Sequence, residues 1–294
     1  MSVGSLLVIV SSLAFGTLAL FAHRSYEAGF SPTTLLMVRF VVAGGMMLAV
    51  ASIRRPSFPS RTKFLGLLLM GGLYVGQSFT FFAALKHVPA SMVSLLLYLY
   101  PGIVTIAAVL LFQEQMRLPK WIAVALAMVG SILIVGVSGK GNPIGIAYGL
   151  ATAAFYSAYL LTGTRVLRGV DPLASSTIVL LTAALAYSLL ASLEGYVFPV
   201  NEVGWMWAIL LAIIPTFVAI STLLAGLDRI GPVNTSTLAA IEPLSTAALS
   251  VMFLGERIGY LQLLGGACIL SAVVILARSS RVQATEQAVS SASV

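Results

Sequence analysis

Charged residues are scarce in this chain. They make up 9% of its 294 residues, whereas 59% are hydrophobic and the mean hydropathy is +1.04. A soluble domain carries roughly 25% charged residues, because water must solvate its surface. The composition therefore excludes an ordinary soluble protein. It also argues against a nucleic-acid partner despite the net charge of +7, since the basic residues lie in short loops between apolar runs.

Cysteine and histidine are nearly absent. Cys268 is the only cysteine, which excludes an intramolecular disulfide and any metal cluster built on cysteines. It lies in an apolar run, where the ordinary role of cysteine is that of a small buried hydrophobe. The two histidines, His23 and His87, lie near the ends of apolar runs. We therefore expect no metal site.

Motifs for nucleotide or hydrolytic chemistry are also missing. The sequence contains no Gly-rich phosphate loop ending in Gly-Lys-Ser/Thr, no His-Glu-x-x-His and no Gly-x-Ser-x-Gly. We expect no cofactor and no drive by ATP hydrolysis. An intramembrane enzyme would need a nucleophile beside a base, and because the spans lack such a pair we expect that the chain is not an enzyme.

Long apolar runs dominate instead. A helix needs about 20 apolar residues to cross a bilayer. A cleavable signal peptide begins with basic residues, and the sequence has no Lys or Arg before Arg24. Prolines that suit a first helical turn lie near six of the starts. The Ser/Ala/Gln-rich tail 279–294 is expected to be disordered and cytoplasmic. The predicted spans are 3–23, 32–52, 63–84, 89–112, 118–137, 144–166, 172–196, 203–226, 232–254 and 259–278.

The chain repeats itself. Shifted by 142 positions, Pro101 falls on Pro243 and Glu114 on Glu256, and shifted by 140 positions Phe15 falls on Phe155. An internal repeat of this length determines the architecture of the whole chain. The sequence thus predicts a first five-helix repeat at 1–140 and a second at 141–278.

Basic residues in the loops predict the orientation. If the N-terminus is cytoplasmic, eleven of them lie inside and four outside, and cytoplasmic loops are the ones enriched in Lys and Arg. Both termini are then cytoplasmic, and five spans per repeat insert the two halves with opposite topology. Such inverted repeats are typical of secondary transporters. The inside set is Arg54, Arg55, Arg61, Lys63, Arg117, Lys120, Arg165, Arg168, Arg229, Arg278 and Arg281; the outside set is Arg24, Lys86, Lys140 and Arg257.

Two copies of Pro-x(12)-Glu before an apolar helix, with FLGERIGYLQLLGGACIL in the second, resemble the EamA repeat of the drug/metabolite transporter superfamily. The resemblance covers about residues 3–278. The first copy departs from the pattern, since Gln113 stands where Gly is usual. Among subfamilies the chain looks closest to bacterial amino-acid exporters of the YddG type. The resemblance implies a bacterial inner-membrane protein in which helices 1–4 and 6–9 surround a central cavity, while helices 5 and 10 pack outside.

Two charged residues lie inside predicted spans. Arg39 is seven residues past Pro32, and Glu242 is ten residues past Pro232. A charge at such depth costs roughly 2.5–3.5 kcal/mol on insertion scales, so each must face protein or water. Either residue could contact substrate or form a structural pair. If Arg39 neutralises Glu242, proton coupling loses its only candidate carboxylate, and on this basis the sequence favours facilitated transport.

Polar and aromatic residues at helical spacing predict the cavity wall, because hydroxyls and amides gain nothing by facing lipid. Two interpretations remain open for these faces, contact with substrate and hydrogen bonding between helices. Three prolines within spans remove a backbone hydrogen bond each and predict either static kinks or gating hinges. The predicted substrate-binding residues are Ser12, Phe15, Arg39, Tyr74, Gln77, Ser78, Phe81, Ser94, Tyr98, Thr152, Tyr156, Tyr159 and Glu242, and the predicted hinges are Pro101, Pro215 and Pro243.

These features predict an all-α integral membrane protein with ten transmembrane helices, arranged as two inverted five-helix repeats around a central cavity. The expected function is export of small metabolites, above all neutral or aromatic amino acids, by alternating access. The expected partners are a small-molecule substrate and the lipid bilayer, with the chain as a monomer. The alternatives are a multidrug or nucleotide-sugar carrier of the same superfamily, a channel, and an intramembrane enzyme.

Overall fold

The computed structural model describes residues 2–112, 118–137, 142–239 and 241–292, and within these ranges the regular structure is helical. Most of the predicted spans correspond to one helix or to two helices in line. The elements are α1 Val3–Gly16, α2 Leu18–Glu27, α3 Pro32–Arg54, α4 Arg61–Ala84, α5 Ala90–Leu97, α6 Tyr100–Phe112, α7 Leu118–Val137, α8 Pro143–Val166, α9 Pro172–Glu194, α10 Glu202–Ala212, the π-helical segment Ile213–Val218, α11 Ala219–Ala239, α12 Ile241–Leu254 and α13 Tyr260–Ala292.

Local sequence explains where several helices begin. Ser31 and Asp171 accept hydrogen bonds from amides of the first turns of α3 and α9, and Pro32 and Pro172 occupy the first helical positions. A capping oxygen satisfies amides that have no partner within the helix, and proline lacks the amide that would be unpaired there. Asn142 caps α8 in the same way. The predicted proline starts are confirmed at these three helices.

The surface of the helix assembly is apolar. Leu185, Leu189 and Leu193 form a stripe along α9 in which the residues are 62–75% exposed. Among the described residues, seven helices are long and apolar enough to cross a membrane, and shorter apolar helices cover 121–130, 241–254 and 260–275. These surfaces fit lipid rather than water, so the chain is a multi-pass membrane protein. The count of ten spans stays a prediction.

The chain reverses inside α11, where the sequence predicts a loop at 227–231 between two spans. The first residues of α11 contact the second half of α1. The middle of α11 contacts the start of α1, and the last residues of α11 contact the second half of α1 again. The chain therefore turns back on itself near Ile230, within the predicted loop, although the segment Ala219–Ala239 is helical. The contacts are Ser11 with Ala219, Gly4 with Ile230, and Ser12 with Leu238.

The C-terminal segment also differs from expectation. The sequence predicts a disordered tail from residue 279, whereas α13 continues as a helix to Ala292. The segment carries Ala, Gln, Glu and Arg, whose helix propensities are high, and it follows an established helix that needs only to be extended.

Helices of one half pack against helices of the other half in a reciprocal pattern. The repeat makes α1–α2 equivalent to α8, and α4 equivalent to α10–α11. Accordingly α4 packs on α8 and α1 packs on α11, while the equivalent helices α3 and α9 pack on each other, as do α7 and α13. The two halves therefore share one core, related by a two-fold exchange, rather than forming two separate bundles.

Equivalent helices run in opposite directions. Ser31 at the start of α3 bonds Val197 just after the end of α9, and Gly44 further along α3 lies against Leu180 in the middle of α9. The pair is thus antiparallel. Since the repeat makes these helices equivalent, one half of the molecule is inverted relative to the other.

We expect reporter domains fused after Lys140 and after Arg281 to lie on opposite sides of the membrane, outside and inside respectively. An odd number of spans separates the two sites, and the loop charges assign the sides. Alkaline phosphatase and fluorescent-protein fusions measure this directly. The same side for both fusions would contradict the inverted arrangement.

Close packing of α7 on α13 gives a second prediction. A Cβ at Gly130 would lie 2.6 Å from the carbonyl oxygen of Gly265, whereas a Cβ at Gly72 has no atom within 4 Å. We expect Gly130→Ala to destabilise the protein by about 1–3 kcal/mol, because backbone must move to admit the methyl group. Gly72→Ala is the control and should be neutral or stabilising by up to about 1 kcal/mol. Unfolding in detergent compares them, and equal stability would contradict the packing.

Candidate functional site

A cavity of about 140 Å³ lies between the two halves. The first half supplies its wall from α1 to the beginning of α6, and the second half supplies residues from α8, α11 and α12. None of the described wall residues comes from α7 or α13. This agrees with the expectation that helices 5 and 10 lie outside the central arrangement.

Most of the predicted site residues meet on this wall. Thr152 and Tyr159 do not. Thr152 is fully buried and donates to the Thr80 hydroxyl at 2.9 Å, which joins α8 to α4. The Tyr159 ring lies behind the wall and packs against wall residues Tyr74 and Tyr156. The predicted residues on the wall are Ser12, Phe15, Arg39, Tyr74, Gln77, Ser78, Phe81, Ser94, Tyr98, Tyr156 and Glu242.

The wall also contains residues that the sequence-based prediction missed. Thr246 lies one helical turn beyond Glu242, and Tyr100 is two residues beyond Tyr98, where the change from α5 to α6 brings both rings to the cavity. Helical spacing from Glu242 could have found Thr246. The sequence predicts one helix over 89–112, so it does not reveal the break between α5 and α6 that places Tyr100. The other missed residues are Ser11, Leu18, Ala19, Phe82, Leu97, Leu223 and Ala239.

Arg39 is a buried cation on this wall, with 2% of its surface exposed. Its Nε donates to the Thr216 hydroxyl at 2.8 Å. Its guanidinium carbon lies 4.8 Å from the ring centre of Phe40 and 5.4 Å from that of Phe82, distances typical of cation–π contacts. Among the described residues, no carboxylate lies within 4 Å of it. The charge is thus held by a hydroxyl and two aromatic faces.

A proline places the hydroxyl that holds Arg39. Pro215 has no N–H, so the Leu211 carbonyl four residues earlier loses its ordinary helical partner. The Thr216 hydroxyl donates to that carbonyl at 3.0 Å within the π-helical segment Ile213–Val218. Single π-helical turns often occur at functional sites. Here the turn directs the Thr216 oxygen towards the arginine.

Glu242 is the carboxyl group of the wall. Its Oε2 lies 3.1 Å from the Tyr98 hydroxyl, which also lies 2.8 Å from the Ala239 carbonyl oxygen. In the part of the chain that the structure describes, no Lys, Arg or His side chain lies within 4 Å of the carboxyl. The structural ion pair between Arg39 and Glu242, which the sequence left open as an alternative to substrate contact, is therefore not formed.

An aromatic series joins the two charged positions. Neighbouring rings contact one another from Tyr98, beside Glu242, to Phe40, beneath Arg39. Edge-to-face and tilted pairs at these distances are favourable. The ring-centre distances are 5.9 Å for Tyr98–Tyr100, 4.8 Å for Tyr100–Tyr156, 6.0 Å for Tyr156–Tyr159, 5.6 Å for Tyr159–Tyr74 and 5.7 Å for Tyr74–Phe40.

Two of the three predicted hinge prolines lie at irregular points of their helices. Pro101 follows the break between α5 and α6, and Pro215 lies in the π-helical segment. Pro243 lies in α12, next to the cavity residue Glu242. Motion at these points stays a prediction.

Glu256 closes one end of the helix assembly. Its carboxylate accepts hydrogen bonds from the Ala90 amide at 2.6 Å, the Ser91 amide at 3.2 Å and the Ser91 hydroxyl at 2.6 Å. It thereby caps α5 from the corner between α12 and α13. The repeat-equivalent Glu114 lies outside the described residues.

A cavity between inverted halves is typical of secondary transporters, and the comparison with known families shows which family the chain belongs to. The EamA-like transporter family matches residues 2–136 and 143–278. The chain belongs to the EamA-like transporter family. The two matches cover the two halves in turn, and the family is part of the drug/metabolite transporter superfamily.

Relatives carry names of the same kind. The chain is 27% identical to an uncharacterized transporter of Archaeoglobus fulgidus, over 94% of this chain and 96% of that protein. It is 25% identical to the uncharacterized inner membrane transporter YedA of Escherichia coli, over 87% and 85%. It is 27% identical to the threonine/homoserine exporter RhtA of Escherichia coli, over 71% and 69%.

A solved crystal structure shares the fold of this EamA protein. The TM-score is 0.67, and the match covers 94% of this chain and 98% of the other at 23% identity, which shows the fold alone. The family and these relatives carry the names of transporters.

The cavity predicts which tyrosines are accessible to water-soluble reagents. In a Cys268→Ala background, we expect Tyr98→Cys and Tyr156→Cys to react with a polar thiol reagent, because both side chains line the cavity. Tyr187→Cys is the control, since Tyr187 is fully buried and bonds the Val75 carbonyl away from the wall. Labelling followed by mass spectrometry measures this, and equal labelling of all three would contradict the assignment.

Proposed function

We propose that this EamA protein is a secondary transporter that exports small zwitterionic metabolites, above all neutral or aromatic amino acids, by alternating access. One observation carries the proposal. The cavity wall presents one buried cation, Arg39, and one carboxyl group, Glu242, that are not paired with each other.

A cation and a carboxyl group that are not paired with each other can contact the carboxylate and the ammonium that an amino acid carries on one carbon atom. A guanidinium has five N–H donors in a planar fork that matches a carboxylate, and Thr216 uses only the Nε donor. Glu242 can accept the ammonium of the same molecule. The Tyr98 and Ser94 side chains on the wall add hydroxyl groups that can bond the same molecule.

The rest of the wall suits an apolar or aromatic side chain. Phe15, Phe81, Tyr100 and Tyr156 present rings to the cavity. The volume of about 140 Å³ compares with about 150 Å³ for a protein cavity that holds benzene. A nucleotide sugar is far larger, and its phosphates would require several basic groups where the described wall has Arg39 alone. The geometry therefore favours amino acids over the nucleotide-sugar alternative.

The comparisons support the same substrate class. RhtA of Escherichia coli, which matches 71% of this chain, is named a threonine/homoserine exporter. Closeness to YddG-type exporters is part of this proposal, as are a bacterial inner-membrane location, cytoplasmic termini and a monomeric state. The reciprocal packing of the two halves supports a carrier rather than a channel. Rocking of the halves between two equivalent packing arrangements would open the cavity to one side of the membrane at a time.

The test is counterflow of radiolabelled L-phenylalanine and L-threonine in proteoliposomes. We expect wild type to exchange at least one of them, and Arg39→Gln to reduce the rate about 10- to 100-fold, the range for loss of a hydrogen-bonded charge. Arg168→Gln, at an exposed loop position, is the control and should match wild type.

A second arm tests the orientation of the substrate. Phenethylamine, which lacks the carboxylate, should compete weakly with L-phenylalanine in wild type, because it leaves Arg39 without a partner. Equal competition by the amine together with full activity of Arg39→Gln would contradict the proposal. Counterflow would also separate a carrier from a channel, since a channel shows none.

A further inference from the structure

The corner between α12 and α13 reaches across to the first half of the molecule. After α12 ends at Leu254, Gly255 adopts a φ of +67°, which glycine tolerates because it has no Cβ. The amide of Glu256 returns to the Ser250 carbonyl at 3.2 Å. In this turn the Glu256 carboxylate meets the start of α5.

The start of α5 has no side-chain cap of its own. The first amides of a helix have no partner within it, and Pro89, which precedes them, has no side-chain oxygen. Glu256 is the acceptor for the amides of Ala90 and Ser91. The Ser91 hydroxyl also donates to Glu256 at 2.6 Å and accepts a hydrogen bond from Nε2 of Gln262 at 3.0 Å. One carboxylate of the second half thus binds three donors of the first half.

A second contact joins the same corner to α2. Nη2 of Arg24 donates to the Phe253 carbonyl at 2.7 Å, and Nη1 donates to Oε2 of Glu27 at 2.8 Å. A cation at this position serves a carbonyl at the end of α12 and is favoured by the helix dipole. The loop charges assign this end of the assembly to the outside of the membrane. We call the residues that join the halves here the clasp: Arg24, Ser91, Glu256 and Gln262.

The cavity is closed at the end where the clasp lies. All eight residues of α5 are buried, including the four that precede the wall residue Ser94. On α2, Phe21 lies just beyond the wall residue Ala19 and is buried. On α12, Ser250 lies one turn beyond the wall residue Thr246 and is 1% exposed. A buried layer therefore separates the cavity from this end.

Packing is looser on the opposite side of the cavity. Residues 158–162 of α8, beyond the wall residue Tyr156, all retain partial exposure. So do residues 221–225 of α11, which include the wall residue Leu223. Each stretch exceeds one helical turn, so some of its residues face the interior of the assembly. The structure thus shows a state that is closed towards the clasp.

From these observations we propose that the clasp is the latch of the outer gate. When it is formed, it holds the α12–α13 corner on α2 and α5 and keeps the cavity closed to the outside. When it opens, the corner moves away and the substrate leaves the cavity. The inference rests on the proposed export by alternating access, to which it adds the residues that control one gate.

The position of the clasp makes its contacts reversible. They lie beside the exposed residues Lys86 and His87 of the first half and the exposed residues Gly255 and Arg257 of the second half. Water can therefore replace each partner when the halves separate, and the net free energy of such a hydrogen bond is small. A hydrogen bond that breaks within the hydrocarbon layer has no such replacement. Contacts near water thus suit a joint that forms and breaks in every transport cycle.

The first test measures access to the cavity and requires no substrate. Ser94→Cys in the Cys268→Ala background places one thiol on the cavity wall next to the buried layer. A membrane-impermeant thiol reagent is added to intact cells, which exposes the clasp side, or to inside-out vesicles, which expose the other side. We expect Glu256→Ala to raise the labelling rate from the clasp side about 10-fold, as for loss of a hydrogen-bonded charge. The rate from the other side should not rise.

Two further variants serve as comparisons. Glu202→Ala removes an exposed carboxylate from the start of α10, where Gly204 lies against Ala28 at the same end of the molecule, and should leave both rates unchanged. Ser91→Ala leaves the two amides bonded to Glu256 and should raise clasp-side labelling by a smaller factor, about 3-fold. Added to Glu256→Ala it should have little further effect, because both side chains take part in one contact.

Equal labelling of Glu256→Ala and its parent would overturn the proposal. An increase from both sides would mean that the substitution loosens the whole molecule, and it would overturn the assignment of Glu256 to a gate. No amino acid takes part in this measurement. Its result therefore counts for or against the clasp whether or not the proposed substrate class is correct.

A reversible cross-link tests the same contact during transport. In Ser91→Cys/Gln262→Cys with Cys268→Ala, a short reducible bifunctional thiol reagent should fix the corner on α5, since the native side chains meet at 3.0 Å. We expect the cross-linked protein to lose counterflow of L-phenylalanine and L-threonine in proteoliposomes, to retain binding in detergent, and to recover counterflow on reduction.

The outcomes of the cross-link separate the two proposals. Cross-linked protein that exchanges amino acid at the rate of the uncross-linked protein overturns the latch and leaves the proposed function standing. Wild type that exchanges neither amino acid overturns the proposed function, and the labelling rates then decide the role of the clasp.

Discussion

The requirement that every backbone polar group find a partner inside the bilayer determines the form of the site. Hydrocarbon offers no hydrogen bonds, so each proline within a span leaves a carbonyl that another group must serve. Pro215 leaves the Leu211 carbonyl without its helical partner, and the Thr216 hydroxyl donates to it. The Tyr98 hydroxyl lies 2.8 Å from another backbone carbonyl oxygen, that of Ala239. Both hydroxyls also contact a charged residue of the cavity. Each of these hydroxyls therefore both contacts a backbone carbonyl and holds a charged side chain of the cavity.

The two charges are held apart rather than paired. A direct contact would satisfy both, but it would leave no polar group available to a ligand. The protein instead stabilises Arg39 with a hydroxyl and two aromatic faces, and surrounds Glu242 with tyrosines. A series of contacting rings spans the distance between them. The wall therefore presents a cation, a carboxyl group and aromatic surface to one cavity.

Inversion of the halves explains why the cavity lies where it does. Antiparallel pairs such as α3 with α9 bring equivalent helices together, and the ends of one repeat meet the ends of the other. At one end Glu256 of the second half caps α5 of the first. Because contacts of this kind join the halves, relative motion of the halves must break them on one side of the cavity. The small residues between α7 and α13 keep that pair together outside the central assembly.

The sequence alone determined the membrane class, the two repeats, several helix starts and most of the cavity wall, because apolar length, loop charge and helical spacing are local properties. It could not place Thr152, whose hydroxyl faces Thr80 in the packing of α8 on α4, or find Tyr100, which depends on the break after α5. It also could not show the partners of Arg39 and Glu242. Those partners depend on which helices pack together. The Tyr98 hydroxyl, for example, is distant in the chain from the Ala239 carbonyl that it contacts, and only the tertiary structure brings the two together.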